Sequence, residues 1–233
     1  MDFASEEPVV EAVHVEAVVE TSGAAITFVV SGRAGIPNDG SPHKVALAGW
    51  DLPARFDLVA APKLAAHAFR RARATNPGPA LLLAGRAQVF HEDEFVGSTH
   101  LKAAAPGEEL ELYLGVEDRV RITRKLVEGA VDRRFLSDQR RLSYAYEIKV
   151  QNLRDRREQV VVQDQLPVSR HEQITVRRQD VRPAPAEETK LGRLRWDLTL
   201  EPQQEQTLRV AFSIEHPRAF TVVGLPPLAS DAG

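Results

Sequence analysis

Residues 144–167 have the pattern of one β-strand, a short charged turn and a second β-strand. The alternating apolar residues are Tyr144, Tyr146, Ile148 and Val150. Their period of two is that of a β-strand with one buried face. A polar turn over residues 152–157 separates them from a branched run, Val160 to Val162, which restarts a strand pattern and leads to Asp164-Gln165-Leu166-Pro167. The pattern predicts a β fold and carries no information about a reaction.

Period-two segments recur along the rest of the chain. They cover residues 13–19, 25–30, 55–59, 81–90, 95–101, 110–114, 120–126, 194–200 and 208–214. The pair 81–90 and 95–101 predicts a hairpin, and residues 201–205 are predicted to make a second hairpin connection between the last two strands. Trp196 falls in phase with the leucines of its segment, which predicts a core position.

Short strands linked by polar turns are typical of all-β proteins. We therefore predict an all-β fold with an antiparallel β-sandwich architecture and an immunoglobulin-like sandwich over residues 118–217. An N-terminal β subdomain is predicted over residues 1–117 and a C-terminal tail over residues 218–233. The proline-containing segment 182–188 is predicted to be an exposed insertion, because proline does not fit a central strand.

Composition excludes several classes of protein. The chain has 233 residues, of which 43% are hydrophobic and 27% charged, and a formal net charge of −3, which is ordinary for a globular protein. It contains no cysteine, so disulfides, thiolate metal ligands and cysteine nucleophiles are excluded. The first seven residues are acidic, unlike a secretory signal, and no apolar run is long enough to span a bilayer. We expect a soluble, cytoplasmic chain without membrane insertion.

Residues 63–74 support two interpretations. They are rich in good helix formers, and Pro62 stands where a first helical turn accepts proline. The segment nevertheless lies among strand candidates, and helix propensity is a weak predictor where neighbouring segments offer a sheet edge. We favour a strand and keep the helix as the alternative.

Six motifs in a fixed order carry a family resemblance. They are Trp50–Phe56, Ala61–Leu64, Phe69–Asn76, Phe95–Gly97, Tyr144–Tyr146 and Asp164–Ser169. Together they resemble the DUF4139 domain of mucoidy inhibitor A family proteins over most of residues 8–225. The resemblance implies a mostly β architecture and brings no catalytic motif. Members of that family typically carry a further N-terminal domain and a coiled coil, so the chain is either a short relative or a piece of a longer protein.

Candidate reactive groups are few. His91-Glu92-Asp93-Glu94 combines ligand types for a cation, but a solvated hairpin tip explains it as well, and neighbouring strand residues point to opposite faces. Ser169 lacks the Gly-x-Ser-x-Gly elbow of a serine hydrolase, and no phosphate-binding or dinucleotide fingerprint occurs. We predict no catalytic residue, no metal site and no cofactor.

Candidate binding residues are Arg133, Arg134, Arg140, Arg141, Trp50 and Asp164. The arginines could meet phosphates, uronic acids or an acidic protein, or they could form a solubilising face paired with nearby acids, which we favour. Trp50 favours sugar binding if it is exposed near another aromatic ring, and an anchor between sheets if it is buried. Asp164 could cap local backbone donors, which we favour, or help line a groove.

These features favour a noncatalytic protein-interaction or scaffold module with a link to the cell envelope or to exopolysaccharide. Its partner would be another protein or a second copy of the chain, with polysaccharide as a further possibility. Nucleic acid is disfavoured, because stacking aromatic residues are sparse in the basic stretch. The alternative is a hydrolase or carbohydrate-binding protein acting on envelope polysaccharide. That alternative requires a concave site with converging carboxylates at Asp51, Asp164 or residues 91–94.

Overall fold

The computed structural model describes residues 17–22, 25–30, 35–41, 43, 49–91, 94–133, 138–226 and 228. In these residues the chain forms strands and no helix, which confirms the all-β prediction. The strands are β1 (Ala17–Ser22), β2 (Ala25–Val30), β3 (Arg55–Ala60), β4 (His67–Thr75), β5 (Gly85–His91), β6 (Glu94–Leu101), β7 (Glu109–Arg133), β8 (Gln139–Asn152), β9 (Glu158–Gln165), β10 (Thr175–Arg182), β11 (Glu187–Glu188), β12 (Arg193–Leu200) and β13 (Glu205–Pro217).

Nine of the described strands form one large sheet in the order β10-β13-β8-β7-β4-β3-β9-β12-β11. Two further sheets contain two strands each, β1-β2 and β5-β6, so the predicted hairpin over residues 81–101 is confirmed. The large sheet is mixed, because β3 pairs with β9 in parallel through Leu58↔Val160 and Ala60↔Val162. The predicted antiparallel course does not extend to this pairing. The two strands lie far apart in sequence, so no tight hairpin imposes an antiparallel course on them.

The chain divides into two compact units. One comprises residues 1–54, 73–86 and 100–111, and the other comprises residues 55–72, 87–99 and 112–233. In the first unit, buried Asn76 donates through its amide to the carbonyls of Ala80 and Ala104, each at 3.0 Å, and so ties two loops together. The predicted division at residues 117 and 217 concerns independent folding and stays a prediction.

The second unit is built around the pairing of β8 with β13. Their antiparallel register runs from Gln151↔Glu205 to Gln139↔Pro217. All four alternating apolar residues of β8 are buried, as their period predicts. The side chains of Ile148 and Val150 are fully enclosed, and burying a side chain of this size contributes about 1.5–3 kcal/mol. This pair of strands therefore supplies much of the core of the unit.

One hydrophobic core joins strands from both ends of the sheet order. It contains Ile148 of β8 and Leu208 of β13 together with Val162 of β9 and Trp196 of β12. Trp196 is 2% exposed, which confirms its predicted core position, and its indole nitrogen donates to the carbonyl of Pro183 at 2.9 Å. Side chains from distant positions of one sheet meet in a single core, and this is a sandwich-like arrangement.

The predicted hairpin between the last two long strands is wrong. Strand β12 pairs with β9 and β11, and β13 pairs with β10 and β8. Both edges of each strand are therefore paired with other strands, and β12 and β13 are not neighbours. Residues 201–204 instead carry the chain from β12, near one end of the strand order, to β13, near the other end. Asn152 fixes this crossing, since its fully buried amide donates to the carbonyls of Leu200 and Glu201, each at 3.1 Å.

Residues 61–75 resolve the choice between helix and strand. A turn follows β3, in which the backbone amides of Leu64 and Ala65 donate to the carbonyl of Ala61. Strand β4 then lies between β7 and β3 in the large sheet. Sheet pairing on both edges outweighs the helix propensity of the segment, so the favoured strand interpretation is confirmed for residues 67–75.

The segment 182–188 is mostly exposed, as predicted, and it contains the short strand β11. It links β10 and β11, which occupy the two ends of the sheet order. Side chains from these end strands meet, because the Arg178 guanidinium lies 3.5 Å from the Glu188 carboxylate. The two end strands of the sheet therefore lie close enough for an ion pair between their side chains.

Candidate functional site

Strand β9 has one closed and one open face. Val160, Val162 and Asp164 are buried on the inner face, whereas Gln163 and Gln165 are exposed on the outer face. The neighbouring strand β12 follows the same pattern, because Leu194 lies opposite Asp164, and Arg195 lies opposite Gln163. Alternation therefore divides one short motif into two chemically different surfaces.

Asp164 is enclosed on the inner face. Its side chain is 0% exposed, and its carboxylate accepts a hydrogen bond from Arg124 Nε at 2.9 Å and from the backbone amide of Gln165 at 2.6 Å. The Arg124 guanidinium also lies over the Tyr146 ring, 3.6 Å from its centroid, in a cation–π contact. The backbone contact is the capping arrangement favoured for Asp164, and its predicted binding role stays a prediction.

Two further carboxylates of this unit are buried against arginines. Asp57 accepts two hydrogen bonds from Arg71, at 2.8 and 2.6 Å. Glu117 accepts from Arg70 at 2.6 Å, from Arg119 at 3.2 Å and from Arg154. Burial opposes ionisation of Glu117 and raises its pKa, but the hydrogen bonds from Arg70 and Arg119 outweigh it, so its pKa lies below the usual value. The Glu117 carboxylate is therefore held in its charged form and is not poised to exchange protons near neutral pH.

The outer face of β9 and β12 forms the floor of a trough of about 320 Å³. Its lining residues are Ala61, Lys63, Leu64, Gln163, Asp164, Gln165, Glu187, Thr189, Arg193, Leu194 and Arg195. The turn after β3 supplies one wall, and β11 with the following turn supplies the other. We call this feature the outer trough.

A tight turn shapes one wall of the outer trough. The Gly192 amide donates to the carbonyl of Thr189, and the Thr189 amide donates to that of Arg193. Gly192 has a φ of +71°, and a Cβ there would stand 2.7 Å from the carbonyl oxygen of Leu166. Both the left-handed backbone and the close approach require glycine.

Positive charge prevails in the outer trough. Arg195 is paired with Asp197 at 2.7 Å and with Glu187 at 3.5 Å. Lys63 and Arg193 form no ion pair with any carboxylate in the described part of the chain. The Lys63 ammonium instead donates to the carbonyl of Gln165 at 3.3 Å. The charge of Asp164 is paired with Arg124 beneath the floor, and Glu187 and Asp197 share Arg195. Lys63 and Arg193 are therefore cations without an ion-pair partner among the described residues, and the balance of these groups is positive.

A second surface of the same unit is apolar. We call it the hairpin face; its centre is the pair Phe90 (58% exposed) and Phe95 (53%). Val96 (40%), Tyr113 (43%) and Val116 (42%) are exposed in the adjoining parts of β6 and β7. The rings of Phe90 and Phe95 meet edge to face with centroids 5.5 Å apart. A Cβ at Gly115 would lie 3.1 Å from Val96, so the hairpin β5-β6 lies beside this stretch of β7. Exposed aromatic clusters of this kind mark interaction surfaces.

The predicted arginine patch is only partly described. Arg134 lies outside the described residues, and Arg133 is described only as the backbone partner of Arg140 in the pairing of β7 with β8. Arg140 and Arg141 are half-buried, and Arg141 Nε lies 4.0 Å from Glu215. Their predicted binding role stays a prediction.

Trp50 is 41% exposed in the first unit. Its indole lies against Gly78, where an added Cβ would stand 3.4 Å from the ring. Among the described residues no aromatic ring pairs with it, so the observation that would favour sugar stacking is not met there. Trp50 is also not the buried anchor of the other interpretation.

The acidic hairpin tip falls partly outside the described residues, at Glu92 and Asp93. Within the described ranges, no group of three or more histidine, aspartate or glutamate side chains is arranged to hold a metal ion. No helix among these residues is long and apolar enough to span a membrane.

Sequence reasoning singled out Asp164 and missed the side chains that line the outer trough. The missed residues are Lys63, Gln163, Gln165, Arg193 and Arg195. Strand alternation could have identified Gln163 and Gln165, because the neighbours of a buried strand residue point to the opposite face of the sheet. The pairing of β9 with β12, which brings the arginines opposite them, is a long-range fact that local patterns do not contain.

Comparison with known proteins gives a family and one distant relative. The family model described as a domain of unknown function, DUF4139, matches residues 1–218. The chain is 26% identical over 215 residues to "Protein F37C4.5" of Caenorhabditis elegans, an alignment that covers 87% of this chain and 39% of the relative. The chain thus spans about two-fifths of the length of that protein. No solved structure matches. The chain belongs to the DUF4139 family.

Proposed function

We propose that this chain is a noncatalytic protein-interaction module that associates with a second copy of itself through the hairpin face. The observation that carries the proposal is the exposed, edge-to-face pair of Phe90 and Phe95. Soluble proteins expose contiguous apolar patches of this kind mainly where a partner covers them.

A second copy suits this surface because neither phenylalanine of the pair carries a formal charge. A two-fold contact places a patch against itself, so a charged patch would repel its twin, whereas an apolar one does not. The strands β5 and β6 form an isolated two-stranded sheet. Such a sheet has two open edges and is only marginally stable alone, so association would also complete its hydrogen bonding.

The chemistry of the described acids supports a noncatalytic role. Hydrolysis of glycosides by paired carboxylates requires two accessible acids that face one substrate. In the outer trough, the Asp164 carboxylate is sealed against Arg124, which leaves Glu187 as the accessible acid among the lining residues. The alternative, a hydrolase or carbohydrate-binding protein, therefore has less support at Asp164 than the interaction module has at the hairpin face.

The test is analytical ultracentrifugation of the chain over a wide concentration range. The expected result is reversible dimerisation of the native protein, with a strictly monomeric Phe90→Ser/Phe95→Ser variant. Leu191→Ser is the matched control, because Leu191 is 62% exposed and lies in the turn between β11 and β12 instead of in β5 or β6. It should dimerise like the native chain. A native protein that stays monomeric at every concentration, or equal loss in the control, would contradict the proposal.

The finer family assignment is part of the same proposal. The six motifs quoted from the sequence resemble mucoidy inhibitor A proteins, and that resemblance supports a role connected with the envelope or with exopolysaccharide. The measurement is exopolysaccharide yield in cells that express the native chain or the Phe90→Ser/Phe95→Ser variant. A yield that changes with the native chain and not with the variant is expected; an identical yield in both would contradict the link.

A further inference from the structure

The outer trough is a site of different character from the hairpin face. Its floor is polar, its lining carries three cations, Lys63, Arg193 and Arg195, and its volume of about 320 Å³ is at the lower end of the range for small-molecule sites. All of its lining residues belong to the second compact unit. Its chemistry can therefore be considered independently of association through the hairpin.

Hydrogen-bond donors predominate among the groups that line the outer trough. The Arg193 side chain offers guanidinium N–H groups, and the Lys63 ammonium uses one of its three donors on the Gln165 carbonyl. The Gln163 amide forms no hydrogen bond within the described part of the chain. The Thr189 hydroxyl oxygen accepts from the Arg193 backbone amide, which leaves its own proton to donate.

The two carboxylates among the lining residues are already paired with arginines. Glu187 is engaged with Arg195, and the Asp164 carboxylate lies under the floor against Arg124. Gln165 donates its amide N–H to the Leu191 carbonyl at 3.0 Å, so its amide is oriented by the wall turn. A ligand entering the outer trough meets two cations, Lys63 and Arg193, that have no ion-pair partner among the described residues, together with several neutral donors. This set of groups is complementary to an oxyanion.

We propose that the outer trough binds a small ligand through an oxyanion group, a carboxylate or a phosphate, held by Lys63 and Arg193 with the Gln163 amide as a neutral donor. Arginine suits this role because its planar donors match the two oxygens of such a group. Lys63 adds a mobile point charge from the opposite wall. The buried Arg124–Asp164 pair holds the floor in place beneath the ligand.

The experiment is titration of the native chain at low ionic strength with three probes: inorganic phosphate, succinate and glucuronate. Binding is followed by NMR shifts of the backbone amides and of the glutamine side-chain amides. The expected result is saturable binding of at least one probe, with the largest shifts at Gln163 and Gln165. The probe that binds most tightly distinguishes phosphate-bearing from carboxylate-bearing ligands.

Two double variants with the same change of net charge decide the location. Lys63→Gln/Arg193→Gln removes the cations of the outer trough and should weaken binding by at least about tenfold. Arg121→Gln/Lys125→Gln removes two exposed cations of β7 and should change affinity by less than about twofold. Equal losses in both would show nonspecific attraction and overturn the proposal, as would the absence of saturable binding for all three probes.

Association through the hairpin face and binding in the outer trough can be tested independently, because each variant should lose only one of the two properties. The Phe90→Ser/Phe95→Ser variant should keep the affinity of the native chain for the probe. The Lys63→Gln/Arg193→Gln variant should keep its dimerisation. Loss of probe binding in the hairpin variant would contradict the assignment of the ligand to the outer trough alone.

Discussion

The two faces of β9 differ in burial and in charge. On the inner face, Val162 and Asp164 are enclosed by the core and by Arg124. On the outer face, Gln163 and Gln165 line an open trough among cations. The difference shows that a single motif serves folding with one set of side chains and offers a surface for binding with the alternate set.

The largest expected effect is the removal of the buried carboxylate. Asp164→Ala leaves the Arg124 guanidinium without its partner in a site where its side chain is 14% exposed. Breaking a buried pair from one side costs about 3–5 kcal/mol. Urea unfolding should show a loss of this order, whereas Gln163→Ala on the outer face should stay within about 0.5 kcal/mol. Similar losses in the two variants would remove the distinction between the faces.

Two neighbouring valines of β9 allow the packing of its inner and outer faces to be compared. Val162 is fully buried, whereas its neighbour Val161 is partly exposed. Val162→Ala should reduce the free energy of unfolding by about 2 kcal/mol, because it removes buried methyl groups and leaves a cavity. Val161→Ala should cost clearly less. Thermal unfolding of both variants gives the comparison, and equal costs would mean that the outer face is as well packed as the inner one.

Gly192 lies in the turn that forms one wall of the outer trough, and it packs closely against Leu166, which is buried. Gly192→Ala should destabilise the chain by about 1–3 kcal/mol, because a left-handed backbone and a blocked Cβ position combine there. Gly224→Ala is the control: its φ is +87°, but a Cβ there meets nothing within 4 Å. The control should therefore show the smaller loss in chemical unfolding, and the reverse order would contradict the close approach to Leu166.

The smallest expected effect is a pH dependence from Glu117. Its pKa is lowered in the folded chain, so the stability that it contributes is fully present above the unfolded pKa near 4.5 and is lost as the pH falls through the lower folded value. Stability measured between about pH 6 and pH 3 should therefore fall less steeply in Glu117→Gln than in the native chain. Parallel curves would mean that Glu117 gains no net stabilisation of its charged form.

Much of the fold follows from local patterns. Alternation predicted strands at residues 55–59, 144–150 and 194–200 and the core position of Trp196, because burial of one face leaves a period of two in the sequence. The branched run Val160 to Val162 predicted the strand between them. The parallel pairing of β3 with β9 and the crossing at residues 201–204 do not follow, because strand order depends on contacts between distant segments. The capping of Asp164 was favoured from its sequence setting, whereas its partner Arg124 lies 40 residues away.

The two tryptophans of the chain provide a built-in optical assay. Trp196 is buried in the second compact unit, and Trp50 is partly exposed in the first. Trp50→Phe therefore leaves fluorescence that reports on the core alone, and Trp196→Phe leaves a signal from the first unit alone. Coincident unfolding transitions in the two variants would mean that the units unfold as one cooperative body, and separate transitions would mean that each has a stability of its own.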